Sequence, residues 1–223
     1  MQKFATAAPI AAVLDIPAGR VQVVAVDKAD TTVEVKPADP SKSRDVKAAE
    51  QTTVVYADGV LRIEGGPVKN QYFGATGSLD VTVQLPAGSR IEAKSGAAEL
   101  RTKGRLGDVT FDGAHGAAQI DETASLRLTV HAGDVSVGRL AGDSEIRVAK
   151  GDIAIAEAAH GKITLRIESG NITVGAAHGA SATLNAGTGH GRIDNALNNT
   201  EGATAALNIH ATTSYGDIRA RSL

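Results

Sequence analysis

The residues best spaced for chemistry are histidines and acids that recur at a near-constant interval. Ala114-His115-Gly116, Ala159-His160-Gly161 and Ala177-His178-Gly179 repeat one tripeptide, and Gly189-His190-Gly191 adds a fourth His-Gly. His160 and His178 lie 18 residues apart. Two stacked imidazoles can hold Zn²⁺ or Ni²⁺, and they repel one another once protonated near about pH 6. No carboxylate accompanies the pair at a fixed spacing. The simpler expectation is a connector in which Gly turns the chain and His covers the coil below.

A second series places Asp134, Asp152, Asn171 and Asp217 each directly after a glycine. Stacked in space, they would form an acidic ladder able to hold cations. The competing expectation is that Gly supplies a positive φ and Asp bonds the backbone of its own turn. Calcium-binding solenoids use a denser Gly-Gly-x-Gly-x-Asp pattern, which this chain lacks.

Other signatures of catalysis are missing. Gly187-Thr-Gly-His-Gly191 has the glycines of a phosphate loop, but no Gly-Lys-[Ser/Thr] follows and it opens no helix. There is no Gly-x-Ser-x-Gly elbow and no His-Glu-x-x-His. Acidic residues are dispersed, so no acid/base pair stands out. Arg127, Arg147 and Arg166 read as a solvated strand face needing counter-charges nearby. Tyr72 and Phe73 are adjacent in a loop, as core-closing rings or as the best local candidate for a partner contact. The expectation is no catalytic, cofactor-binding or metal residue, no cofactor, and no enzyme.

The elements that carry these residues are strands. The 223 residues have 23 Lys+Arg against 25 Asp+Glu, a balance without the field that attracts nucleic acid. Zero Cys rules out disulfides and Cys-ligated zinc. Six aromatic residues (three Tyr, three Phe, no Trp) against 25 Gly suit a thin, regular stack of small side chains. From residue 91 one unit recurs: a short alternating strand, a Gly-Asp-type turn, a second short strand and a small-residue connector. Leu126-Arg-Leu-Thr-Val130, Ile146-Arg-Val148, Ile163-Thr-Leu-Arg-Ile167 and Leu207-Asn-Ile209 open the clearest copies. A strand this short cannot bury its apolar face alone, but stacked copies can. The expected fold is all-β, a β-solenoid. In sequence order the Leu207 copy would form an uncapped last coil.

Residues 1–90 are β-rich without the short period and are expected to cap the solenoid of residues 91–223 within a single domain. Strands are expected at Ile10–Ile16, closed by Pro17-Ala-Gly19, and at Arg20–Val26, Thr32–Val35, Thr53–Tyr56, Val60–Ile63 and Leu79–Leu85. Asp58-Gly59 marks a hairpin. Pro37 to Gln51 reads as a polar surface excursion with at most a turn of helix. No window reaches the ~20 apolar residues of a membrane helix, and Pro9 and Asp15 interrupt the N-terminal Ala-rich stretch. The expected location is cytoplasmic, with surface exposure as the alternative.

Leu14-Asp-Ile-Pro-Ala-Gly-Arg-Val-Gln-Val23, Val81-Thr-Val-Gln-Leu-Pro-Ala-Gly-Ser-Arg-Ile91 and the Gly-Asp-[Val/Ile]-x-Val units resemble a bacterial family of β-strand-repeat proteins called "putative adhesin", a domain of unknown function. The resemblance covers nearly the whole chain and implies a β-solenoid-like fold with no catalytic residues. The expected function is a non-catalytic scaffold or adhesin-like interaction module of unknown ligand, with a protein partner or self-association. A polysaccharide-acting β-helix enzyme and a self-assembling filament are the alternatives.

Overall fold

The computed structural model describes residues 1–66 and 77–223. Among them the chain is mostly strand, with one α-helix. It divides into two compact units, Met1–Gly116 and Ala117–Leu223.

The first unit holds β1 (Gln2–Ala5), β2 (Ala11–Val26), β3 (Asp30–Pro37), α1 (Ser43–Gln51), β4 (Thr53–Ala57), β5 (Val60–Glu64), β6 (Leu79–Pro86), β7 (Arg90–Lys103) and β8 (Arg105–His115). Pro17-Ala-Gly19 does not end a strand. β2 runs through it and pairs in parallel with β7 from Ala11↔Arg90 to Val24↔Lys103, the register passing over Pro17. Proline has no N–H to give a ladder, so a bend is where a continuous strand can hold one. Gly19 makes that bend with φ +123°, and a Cβ there would lie 1.9 Å from the Leu79 carbonyl oxygen. On its other side β2 pairs in parallel with β5 and then with β6. The first long strand is therefore interior to its sheet.

β3 lies antiparallel on β6, β1 antiparallel on β3, and β4 antiparallel on β5. The β4–β5 hairpin turns at Asp58 and Gly59 with φ of 51° and 75°, the two positive angles such a tight turn requires. The polar excursion folds into α1, whose buried Asp45 accepts the Ser78 backbone N–H at 3.0 Å. In the Leu85-Pro-Ala-Gly-Ser junction the Ser89 hydroxyl donates to the Pro86 carbonyl at 2.7 Å and accepts the Ile10 N–H at 3.0 Å. One buried hydroxyl thus ties the β6–β7 turn to the start of β2.

The second unit holds β9 (Ala118–Ala132), β10 (Val135–Leu140), β11 (Ser144–Lys150), β12 (Ile153–Ala158), β13 (Gly161–Ser169), β14 (Ile172–Ala176), β15 (Ala182–His190), β16 (Ile193–Ala196), β17 (Leu207–Tyr215) and β18 (Ile218–Ser222). All its pairings are parallel, in two columns. One runs β9–β11–β13–β17–β15 and the other β9–β10–β12–β14–β18–β16. Spatial order departs from chain order at one place. The C-terminal strands β17 and β18 insert between β13–β14 and β15–β16. The uncapped last coil expected from the sequence is an interior rung, and β15–β16 is the terminal one.

Alternation sets the core. Leu126, Leu128 and Val130 are buried while Arg127, Thr129 and His131 are exposed. Rows cross the rungs in register, as in Leu128, Ile146, Leu165, Ala211 and Ala186, or Val130, Val148, Ile167, Thr213 and Thr188. The row members shrink or turn polar toward the terminal rung. Thr213 and Thr188 satisfy their hydroxyls on the carbonyls of Gly170 and Gly216, at 3.0 and 2.9 Å.

Candidate functional site

The corner between the two columns of the second unit gathers the Gly-Asp series. Gly133, Gly151, Gly170, Gly216 and Gly191 all have positive φ there. A Cβ on Gly151 would sit 2.2 Å from the Gly133 carbonyl oxygen, so the close rung-to-rung approach excludes any side chain. The residue after each glycine builds a ladder. Asp134 Oδ1 accepts the Asp152 N–H at 2.9 Å and Asp152 Oδ1 accepts the Asn171 N–H at 2.7 Å. Asn171 Oδ1 accepts the Asp217 N–H, and Asp217 Oδ1 the Arg192 N–H, both at 2.9 Å. The expectation that these side chains bond their own turns is corrected. The positive-φ glycine turns the backbone so that each side chain faces the N–H of the next rung. At the opposite corner Asp143 Oδ1 likewise accepts a backbone N–H of the next rung, that of Lys162, at 2.8 Å.

A recess of about 280 Å³ opens on the ladder, lined by Asp152, Asn171, Ile172, Thr173, Asp217 and Arg219. Its carboxylates are committed to structure. Asp152 Oδ1 also receives the Asn171 amide at 3.3 Å, and Asp217 Oδ2 lies 3.6 Å from the Arg219 guanidinium. Both carboxylates serve as hydrogen-bond acceptors within the stack.

The histidines do not form one column. His115 ends β8 in the first unit. His160 and His178 are both exposed and follow the register pair Ala158↔Ala176, so their corners are neighbours. Beyond them the chain diverges: β13 and β15 are separated by the whole of β17. His190 belongs to the glycine corner and stacks on Tyr215, ring centroids 4.8 Å apart and planes 10° from parallel. Sequence spacing missed that contact, because Tyr215 follows His190 in sequence but precedes it in the stack. Among the described residues no group of three or more His, Cys, Asp or Glu is placed to hold a metal ion. Gly187 and Gly189 lie within β15, a strand and not a helix-opening loop.

The outward face of the β9–β11–β13–β17–β15 column carries Arg127, Glu145, Thr164, His210 and Asn185 in one row. The next row holds Thr129, Arg147, Arg166, Thr212 and Gly187. Arg147 finds its counter-charge on Glu145, with Nε 3.0 Å from Oε1. Arg166 stands in register with Arg147 and makes no ion pair among the described residues. Tyr72 and Phe73 lie outside the described residues.

Comparison with known proteins agrees with this architecture. None of the curated proteins matches the chain in sequence. A structure described as a "putative adhesin" from Bacteroides fragilis superposes with TM-score 0.61 at 14% identity, over 98% of this chain and 95% of that one. Another "putative adhesin", from Parabacteroides distasonis, gives 0.54 at 16% identity over 98% and 95%. At such identities the likeness is one of fold. The model of the Toastrack DUF4097 family matches residues 12–219, and the chain belongs to that family.

Proposed function

We propose that this Toastrack chain is a non-catalytic scaffold that binds a partner through the outward face of the β9–β11–β13–β17–β15 column. The observation that carries the reading is the in-register pair Arg147 and Arg166, of which only Arg147 is neutralised. Around it the face is polar, with Thr129, Thr164 and Thr212 set among Arg127, Glu145 and His210. Such a surface offers hydrogen-bonding groups and the guanidiniums of Arg127 and Arg166, neither of which makes an ion pair among the described residues, to another surface. No described helix is long and apolar enough to cross a membrane.

The test is a binding screen of the whole chain against immobilised glycans and against acidic proteins, repeated with Arg166→Glu. Binding lost in the variant, at an unchanged melting temperature, supports the reading. Binding that survives Arg166→Glu, or turnover of any polysaccharide in the screen, contradicts it. Cytoplasmic residence is part of the proposal. Protease added to intact host cells tests it: protection until lysis is expected, and digestion would move the partner to the cell surface.

A further inference from the structure

The terminal rung is an open edge. Among the described residues β15 pairs only with β17 and β16 only with β18. Natural edges are usually blunted by charge, proline or a bulge. β15, Ala182-Thr-Leu-Asn-Ala-Gly-Thr-Gly-His190, contains no Asp, Glu, Lys, Arg or Pro. The loop 197–206 reaches this strand through one backbone bond, from the Ala182 N–H to the Asn198 carbonyl. Ile193 aligns with the buried Ile218, Ile172 and Ile153, yet it is 46% exposed because nothing stacks beyond it.

The residues around Ile193 select what can pair here. At the four preceding rungs of the corner, from Asp134 to Asp217, an Asp or Asn accepts the next backbone N–H, but the terminal rung carries Arg192 at that position. Arginine has donors and no acceptor, so a further rung laid in parallel would find its corner N–H unanswered. Antiparallel addition meets no such obstacle. With Ile193 opposite Ile193 of a second copy, Arg192 stands opposite Asp194 of that copy, and Asp194 opposite its Arg192. Residues directly opposite in an antiparallel pair share a face, so both charge pairs can close. Neither Arg192 nor Asp194 makes an ion pair within the chain among the described residues.

We propose that two copies of this chain associate through β16, antiparallel and centred on Ile193, as a closed two-fold dimer. The inference stands apart from the partner face above. A two-fold contact uses one patch on each copy and ends there, so it gives a dimer and no filament.

A contact this small binds weakly, and association is expected at about 0.1–1 mM chain. Light scattering and sedimentation over that range should show a dimer for the whole chain. Arg192→Asp and Asp194→Arg each set like charges opposite one another and should weaken it at least about tenfold. The double swap Arg192→Asp/Asp194→Arg should restore it. Because the chain has no Cys, Ile193→Cys provides a second readout, and mild oxidation should give a disulfide-linked dimer. A wild-type chain that stays monomeric across the range, single swaps that dimerise like wild type, a double swap that fails to recover, or Ile193→Cys that stays unlinked would each overturn the proposal.

Discussion

Asp152 Oδ1 accepts the backbone N–H of Asn171 at 2.7 Å, across 19 residues of sequence and one rung of the stack. The same relation links Asp134 to Asp152, Asn171 to Asp217 and Asp217 to Arg192. In chain order the residues after the corner glycines read Asp, Asp, Asn, Arg, Asp. In spatial order from Gly133 they read Asp, Asp, Asn, Asp, Arg, so that Arg192, which cannot accept, stands at the terminal rung. Asp152→Ala removes an acceptor and leaves the Asn171 N–H to water, which should lower stability by about 0.5–1.5 kcal/mol. Asp152→Asn keeps an oxygen in place and should cost clearly less. Urea unfolding of the two variants checks this, and equal losses would count against the ladder.

The corner glycines are required by contact as well as by dihedral angle. Gly151 has φ +138° and the Gly133 carbonyl oxygen 2.2 Å from where a Cβ would be. Gly151→Ala should destabilise the second unit by about 1–3 kcal/mol. Gly187, on the terminal rung, has open space at the same point and no positive φ, so Gly187→Ala should stay within about 0.5 kcal/mol of wild type. Thermal melts of the two variants separate these outcomes.

Strand periodicity made much of this fold legible. Val/Ile/Leu alternation located β3 to β6 and the repeats from Leu126 onward, and Asp58-Gly59 located a hairpin. The order of the rungs was not legible, because parallel in-register strands of similar composition can stack in more than one order. The signal was present in Arg192, which replaces Asp or Asn in the fourth of the five glycine corners. Pro17 misled because a proline at a solenoid corner bends a strand without ending it. The His-Gly repeats misled because local sequence does not say which corner a glycine turns: His190 lies with the aspartates and stacks on Tyr215.

Interleaving makes the terminal rung depend on the C-terminus. β15 and β16 pair only with β17 and β18 among the described residues. A chain ending at Ala206 should therefore lose amide protection throughout Ala182–Ala196, although that segment is itself unaltered. Hydrogen exchange reads this residue by residue, and retained protection would mean that β15–β16 can dock without β17–β18.

Strong acid should loosen the turn before α1. Asp39 accepts the Ser41 hydroxyl at 2.7 Å and the Ser41 N–H at 3.0 Å, with Lys42 Nζ at 3.1 Å. The Ser41 hydroxyl bond leads in lowering its pKa from 3.8 to about 2. A carboxyl held below its unfolded value stabilises this turn above about pH 4, and the contribution is lost as pH falls through the folded pKa. An NMR carboxyl titration of Asp39 should centre near 2, and Ser41→Ala should move it upward. A midpoint at the ordinary value would show the turn open.

The central claim, that the C-terminal coil lies between two earlier ones, is tested most directly by cross-linking on a cysteine-free background. Thr164, His210 and Asn185 share one outward row, with His210 in the middle. Neighbouring strands are about 4.8 Å apart and next-nearest ones about 10 Å, whereas a disulfide needs Cα atoms within about 7 Å. Thr164→Cys/His210→Cys and Asn185→Cys/His210→Cys should each oxidise to an intramolecular bridge, and Thr164→Cys/Asn185→Cys should stay reduced. A bridge between positions 164 and 185, with none to position 210, would contradict the account.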